Sequence, residues 1–277
     1  TGTGTFIVRL LQSGVIKKED LLYKYTNDIH ANEIVLLAYY IAAINIEETF
    51  HELSEKKEYT TFDGIVLTDT FQLYDSKYEN NEYISEMLEE NNERANRQKE
   101  LPITVCIGNP PYSIGQKSAN DNAANLHYKN IDEKIANTYA AFSKANLKKG
   151  LYDNYIRAFR WATDRIEENG IISFITNGSF IDNQGMDGFR KSLLDEFTSV
   201  YVFNLRGNQR TSGELSRKEG GKIFGSGSRT PVSITCLIKN KKRKKDDFVH
   251  YYDIGDYLSR EQKLTKIKKF ESIKNIQ

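Results

Sequence analysis

Short aliphatic and β-branched runs recur along this chain, and helix-spaced segments separate them. Residues 103–108, 170–176, 199–205 and 230–239 are the clearest runs. Between the first two, residues 152–168 place Tyr155, Ile156, Phe159, Trp161 and Ile166 at helical intervals, and Gly170 follows. Strands that alternate with helices predict an α/β fold, a mostly parallel sheet flanked by helices. Ligands of such sheets bind beyond the carboxyl ends of the strands, so the residues that follow each run are where chemistry is expected.

The same reading covers the rest of the chain. Residues 6–13 form a helix that Gly14 can close. Residues 28–33 are strand-like and lead into 34–46, whose Leu, Ala and Tyr content predicts a buried helix. Residues 64–69 form a strand ending in Asp69. Residues 78–100 are a polar helix or insertion, and residues 109–149 a long irregular stretch expected to be a mobile loop over a site. Residues 189–197 are helical.

At 277 residues the chain holds one large domain or two small ones, and 39% hydrophobic with 28% charged residues fits a globular protein. No apolar run reaches membrane-spanning length and no signal-like segment opens the chain. Cys106 and Cys236 sit in apolar runs and read as small core residues of a cytoplasmic protein rather than a disulfide. The four histidines make no metal-ligand spacing. A net charge of +1 suits a nucleic-acid binder only if its basic groups gather on one face. The run Lys239-Asn240-Lys241-Lys242-Arg243-Lys244-Lys245 is the obvious candidate, and a solvated loop is the plainer reading.

Asn109-Pro110-Pro111-Tyr112 follows the run at 103–108. Two prolines fix φ and donate no N–H, leaving the Asn109 side-chain oxygen and the Pro110 carbonyl as acceptors beside the flat ring of Tyr112. An exocyclic amino group held by two acceptors becomes a better nucleophile, which is what methylation of adenine N6 requires. A strand-ending turn is the alternative. Gly2-Thr3-Gly4 opens a helix, where backbone can approach a ligand closely. Glu33 can accept two ribose hydroxyls or be an ordinary surface acid; Asp69 can accept from an adenine amino group or cap the next segment. Gly-rich turn, acid, acid and Asn-Pro-Pro-Tyr, each at a strand end, form an order rarely met by chance.

This order resembles the amino-methyltransferases that use S-adenosylmethionine, in particular adenine-N6 DNA methyltransferases. Longer strings resemble the type ISP restriction-modification enzymes: residues 151–162, Asn177-Gly178-Ser179-Phe180-Ile181-Asp182, residues 203–211 and residues 220–231. The resemblance covers roughly residues 1–240. It implies a Rossmann-like methyltransferase domain over 1–240, with 241–277 a basic linker or the start of a target-recognition region. It implies that Thr1, Gly2, Thr3 and Gly4 form the cofactor loop, that Glu33 holds the cofactor ribose, and that Asp69 binds its adenine. Asn109, Pro110 and Pro111 with Tyr112 would form the catalytic tetrad, and Tyr112 and Phe224 would stack on a target adenine flipped out of duplex DNA. A core Phe is the alternative for Phe224. No metal is implied; other domains of a longer restriction-modification polypeptide are. The family's strand before the Gly-rich turn is missing, so the chain reads as a piece cut inside the cofactor loop. Two rivals stay open: an amino-methyltransferase acting on RNA or protein glutamine, and a non-catalytic DNA-binding remnant.

Overall fold

The alternating runs become seven strands among the described residues, in two sheets. The computed structural model describes residues 1–54, 58–72, 89–112, 127–225 and 229–275. The chain divides after Pro102 into two units.

The first unit contains α1 (Thr5–Gln12), β1 (Ala31–Glu33), α2 (Leu36–Ser54), β2 (Ile65–Leu67) and α3 (Glu89–Glu100). β1 and β2 pair in parallel, with Glu33 opposite Leu67. The strand expected from residue 28 begins only at Ala31, because residues 24–28 form a wide helical turn that closes with Ile29 N–H on the Lys24 carbonyl at 3.0 Å. Tyr25 stacks on Phe50 at 3.7 Å, and Ile7, Leu11, Ile46 and Phe62 complete this core. α2 is not the buried helix its composition predicts. Ala42, Ile46, Thr49 and Phe50 are buried along one stripe, whereas Leu36, Leu37, Tyr40 and Ile44 are exposed. Such a composition is apolar all round, so it cannot reveal that only one face is covered. On α3, the Asn91 amide accepts from Leu67 N–H at 2.8 Å and donates to the Leu67 carbonyl at 3.0 Å, standing in for a strand partner at the end of β2. The part of the predicted polar helix before Glu89 lies outside the described residues.

The second unit runs β3 (Val105–Gly108), α4 (Lys129–Ile135), α5 (Asn154–Arg165), β4 (Asn169–Asn177), α6 (Asp187–Glu196), β5 (Ser199–Arg206), α7 (Gly213–Glu219), β6 (Val232–Asn240), β7 (His250–Asp253) and α8 (Arg260–Phe270). The sheet order is β3-β4-β6-β5-β7. β6 runs against β4 and β5, and the other pairings are parallel, so the fold is the expected mostly parallel, Rossmann-like α/β arrangement. Phe159 of α5 packs on Phe174 of β4 and Phe189 of α6, with ring centres 5.2 and 5.3 Å apart, which binds both helices to one sheet face. Among the described residues no helix is long and apolar enough to cross a membrane.

Two further expectations differ from this fold. In the stretch 109–149, residues 113–126 lie outside the described residues, and the remainder is no mobile loop. α4 and the turn after it bury Ile131, Ile135 and Tyr139. Arg157 of α5 grips the Asp132 carboxylate through Nε and Nη2 at 2.8 and 2.9 Å. The polar sequence of α4 and the turn after it hid three apolar anchors, which are spaced one helical turn apart. Beyond residue 240, expected to be a linker or the start of a recognition region, β7 adds an edge strand to the same sheet. The Phe270 ring at the end of α8 packs edge-on to Phe203 of β5 at 5.5 Å and Tyr252 of β7 at 5.1 Å.

Candidate active site

Thr1, Gly2, Thr3, Gly4, Glu33 and Asp69 lie in the first unit; Asn109, Pro110, Pro111, Tyr112 and Phe224 lie in the second. In the first unit the Gly-rich turn sits beside the carboxyl end of β1. The Glu33 carboxylate is buried and accepts three backbone N–H groups: Gly2 at 2.6 Å on Oε2, and Ile34 and Val35 at 3.0 and 2.9 Å on Oε1. A carboxylate has about four lone-pair sites. Two further hydroxyls on Glu33 would therefore have to displace one of these donors.

The turn is fixed from its other side as well. The Asn45 side chain of α2 donates to the Thr3 carbonyl at 2.9 Å, and Thr1 N donates to the Asn32 carbonyl at 2.9 Å. Gly4 has φ of 82°, and a Cβ there would come within 3.2 Å of the Ala42 carbonyl and the Ile46 side chain. Only glycine combines that left-handed φ with that approach to α2. Around Gly2, by contrast, a Cβ would meet open space. Asp69 lies two residues past β2, on the same edge as Glu33. Its Oδ1 accepts Phe71 N–H at 2.9 Å, the geometry of a turn-forming aspartate.

In the second unit the tetrad leaves β3 at its carboxyl end, opposite Phe174 of β4. Asn109 is exposed and Tyr112 half-buried. The Tyr112 hydroxyl donates to Asn109 Oδ1 at 3.0 Å. Burial pushes the Tyr112 phenol up to about 12, so it is a protonated donor at neutral pH. This bond turns the amide oxygen, not the nitrogen, toward the ring. The tyrosine thereby occupies the acceptor that the sequence reserves for an amino group. Tyr155, fully buried in the first turn of α5, meets the Tyr112 ring edge-on at 6.2 Å and 89°. Its sequence signal was only a helical apolar position, which does not distinguish a core ring from one supporting a site.

Phe224 is half-buried and packs against the cluster of Phe203, Leu205, Ile223, Val232 and Ile254, so part of its ring serves the core. Its segment, the link from β5 to β6, leaves the sheet at the same carboxyl edge as the tetrad. α8 holds this segment from behind: Arg260 Nε donates to the Ile223 carbonyl at 2.8 Å, and Lys263 Nζ to the Glu219 and Gly221 carbonyls at 2.7 and 2.8 Å. Neither side chain was foreseen, since cations that clasp backbone carbonyls from a polar helix carry no pattern in the sequence.

The basic run does not join this edge. β6 is reversed, so its end at Asn240 lies opposite Asn169, where β4 begins. Nine residues of β4 separate that edge from the carboxyl one, roughly 26 Å at strand rise. Part of the run is also engaged locally. Lys241 pairs with Glu168 at 2.8 Å, Arg243 with Asp246 at 3.4 Å, and Lys239 and Lys245 donate to backbone carbonyls. A cavity of about 640 Å³ lined by Tyr201, Cys236, His250, Tyr252 and Phe270 contains none of the predicted site residues.

Residues 17–210 match the family described as Eco57I restriction-modification methylase. Among solved structures, a nuclease-deletion mutant of the type ISP restriction-modification enzyme LlaGI, in complex with a DNA substrate mimic, is 51% identical with a TM-score of 0.92, covering 100% of this chain and 23% of that one. The ATP-dependent type ISP enzyme LlaBIII bound to DNA is 46% identical with a TM-score of 0.89, over 99% of this chain and 18% of that one. DrdV, in a complex with DNA, is 39% identical with a TM-score of 0.88, over 100% and 26%. The chain thus spans about a quarter or less of the length of these relatives. No curated protein matches.

Proposed function

Because this chain belongs to the Eco57I restriction-modification methylase family, we propose that it carries the catalytic part of a DNA methyltransferase that moves a methyl group from S-adenosylmethionine to adenine N6. The observation that carries this reading is the tetrad itself: Asn109 Oδ1 held at the carboxyl end of β3 beside the Tyr112 ring. The structures of LlaGI, LlaBIII and DrdV, each in complex with DNA or its mimic and each several times longer than this chain, support DNA as the partner and further domains on the complete polypeptide.

The first unit supports the cofactor reading, with Glu33 giving up one of its three backbone donors to the ribose. A glycine turn open at Gly2 and closed onto α2 at Gly4 would pass the methionine moiety, Glu33 would hold the ribose, and Asp69 the adenine amino group. When bound, S-adenosylmethionine supplies a methyl group on a positively charged sulfur. The protein supplies acceptors and approach geometry. Asn109 Oδ1 and the Pro110 carbonyl would accept hydrogen bonds from the two N–H groups of the amino group and raise electron density on its nitrogen, and the one proton displaced by the methyl group would leave to solvent. For this the Tyr112 hydroxyl gives up Asn109, and its ring turns to the flat face of the base. Extruding the base costs a few kcal/mol, which stacking on Tyr112 and Phe224 partly offsets. The free, largely buried thiols of Cys106 and Cys236 suit work in the cytoplasm.

The test is methyl transfer by the protein expressed from its complete gene, with Asn109→Ala as comparison. Loss of about 10²–10³-fold is expected, the scale for removing one preorganised polar group. An unchanged rate would sink the assignment.

A further inference from the structure

The segment joining β5 to β6 carries a charge pattern that the basic run does not. Residues 207–225 and 229 hold five cations, Arg210, Arg217, Lys218, Lys222 and Arg229, against two carboxylates, Glu214 and Glu219. Both carboxylates are engaged locally: Glu219 accepts Asn208 N–H at 2.9 Å, and Glu214 accepts the Tyr257 hydroxyl and pairs with Arg217 at 3.5 Å. The nearby acids Asp253 and Asp256 are both spent on Arg206. Arg210, Lys218 and Lys222 pair with no carboxylate among the described residues. Arg229 is exposed, donates to the Gln209 carbonyl at 3.1 Å and pairs with no carboxylate among the described residues.

The backbone that displays these cations is firmly held. Gln209 N–H donates to the Arg229 carbonyl at 2.9 Å and its side chain to the Gly220 carbonyl at 3.2 Å, drawing Arg210, Arg229 and the 220–222 turn together. Gly220 has φ of 67°, and a Cβ there would stand 2.2 Å from the Leu258 carbonyl, so the turn lies flush against the chain leading into α8. The fully buried Lys263 and the Arg260 guanidinium close the clasp. Cations on such a platform lose little freedom on engaging an anion.

We propose that this platform is the phosphate-binding surface for duplex DNA beside the reacting base, with Arg210, Lys222 and Arg229 as the phosphate contacts. The inference rests on the proposed DNA-methyltransferase reading and adds which face takes the backbone. The platform leaves the carboxyl edge of the sheet, the edge the tetrad leaves. β5 is three strands from β3 in the sheet order, roughly 14 Å at normal strand spacing. That is several phosphates along one DNA strand, since successive phosphates advance about 3.4 Å along the axis. Contacts of this kind position a duplex without reading its sequence.

The experiment measures DNA affinity between 50 and 300 mM salt for the protein from its complete gene. It compares the triple variant Arg210→Ala/Lys222→Ala/Arg229→Ala with the control Lys242→Ala/Lys244→Ala. Three lost phosphate contacts should flatten the slope of log affinity against log salt by roughly 2.7 and weaken binding roughly 100-fold at 0.15 M salt. S-adenosylmethionine binding and the methylated sequence should stay as in the parent, and the control should bind as the parent does. Should the triple variant be poorly folded by circular dichroism, the single charge reversal Arg210→Glu serves the same comparison. Parental slope and affinity in the platform variants, or an equal loss in the control, overturns the proposal. A parent protein that binds no duplex DNA overturns the underlying reading instead.

Discussion

At the scale of single residues, the tetrad and the Gly-rich turn behave differently under substitution. Tyr112 both satisfies Asn109 and offers the stacking face, and Tyr112→Phe separates these roles. The ring and its edge contact with Tyr155 remain, while the hydroxyl that occupies Asn109 Oδ1 is removed. The account expects KM for DNA to hold or fall in this variant and the transfer rate to stay within about tenfold, whereas Tyr112→Ala loses the stacking worth about 1–3 kcal/mol. Steady-state kinetics of both variants decide this; equal losses would show the hydroxyl itself to be essential. Gly4→Ala places a Cβ at φ of 82° and within 3.2 Å of α2. It should cost about 1–2 kcal/mol of stability by urea unfolding. The tetrad was legible in the sequence because Pro-Pro after an aliphatic run is rare and stiff. The bond between its two ends was not, because it depends on how far the chain folds back after Pro111. Glu33 was legible as an acid at a strand end, but its three backbone donors were not.

Among elements, α4 and α8 decide how much of the chain is ordered around the site. The Arg157–Asp132 pair that docks α4 on α5 is about nine-tenths buried on both sides. Arg157→Ala leaves a buried carboxylate uncompensated, and a loss of about 3–5 kcal/mol is expected in chemical denaturation. A loss under 1 kcal/mol would mean that Asp132 finds solvent. On α8, burial holds the Lys263 ammonium down to about 8, below its ordinary value near 10.5. Between those values the unfolded chain binds more protons than the folded one. Stability therefore rises with pH from 8 toward 10.5 on account of this group. Lys263→Met should lack that rise relative to the parent in unfolding measured at pH 7.5, 8.5 and 9.5; parallel curves would contradict it. Neither helix could be read for its packing role. α4 shows two apolar anchors in a polar sequence, and α8 buries a cation, so apolar periodicity ran out at both.

For the whole chain, strand order and relatives agree on the class of fold, while the two units keep separate shares of the chemistry. The first unit holds the residues proposed for the cofactor, and the second the tetrad and the proposed phosphate platform. The alternation of runs carried the α/β reading from sequence alone, because buried parallel strands are nearly continuous aliphatic stretches. The reversal of β6 was not readable, since a buried antiparallel strand has the same composition. That reversal is what sends the Lys239–Lys245 run to the edge of the sheet opposite the tetrad. The most direct measurement is transfer of labelled methyl from S-adenosylmethionine by the protein from its complete gene, offered unmethylated DNA, RNA and protein acceptors in parallel, with Asn109→Ala alongside. The account predicts label in DNA as N6-methyladenine, lost in the variant. Label confined to RNA or protein, or carried to DNA equally well by Asn109→Ala, would contradict it.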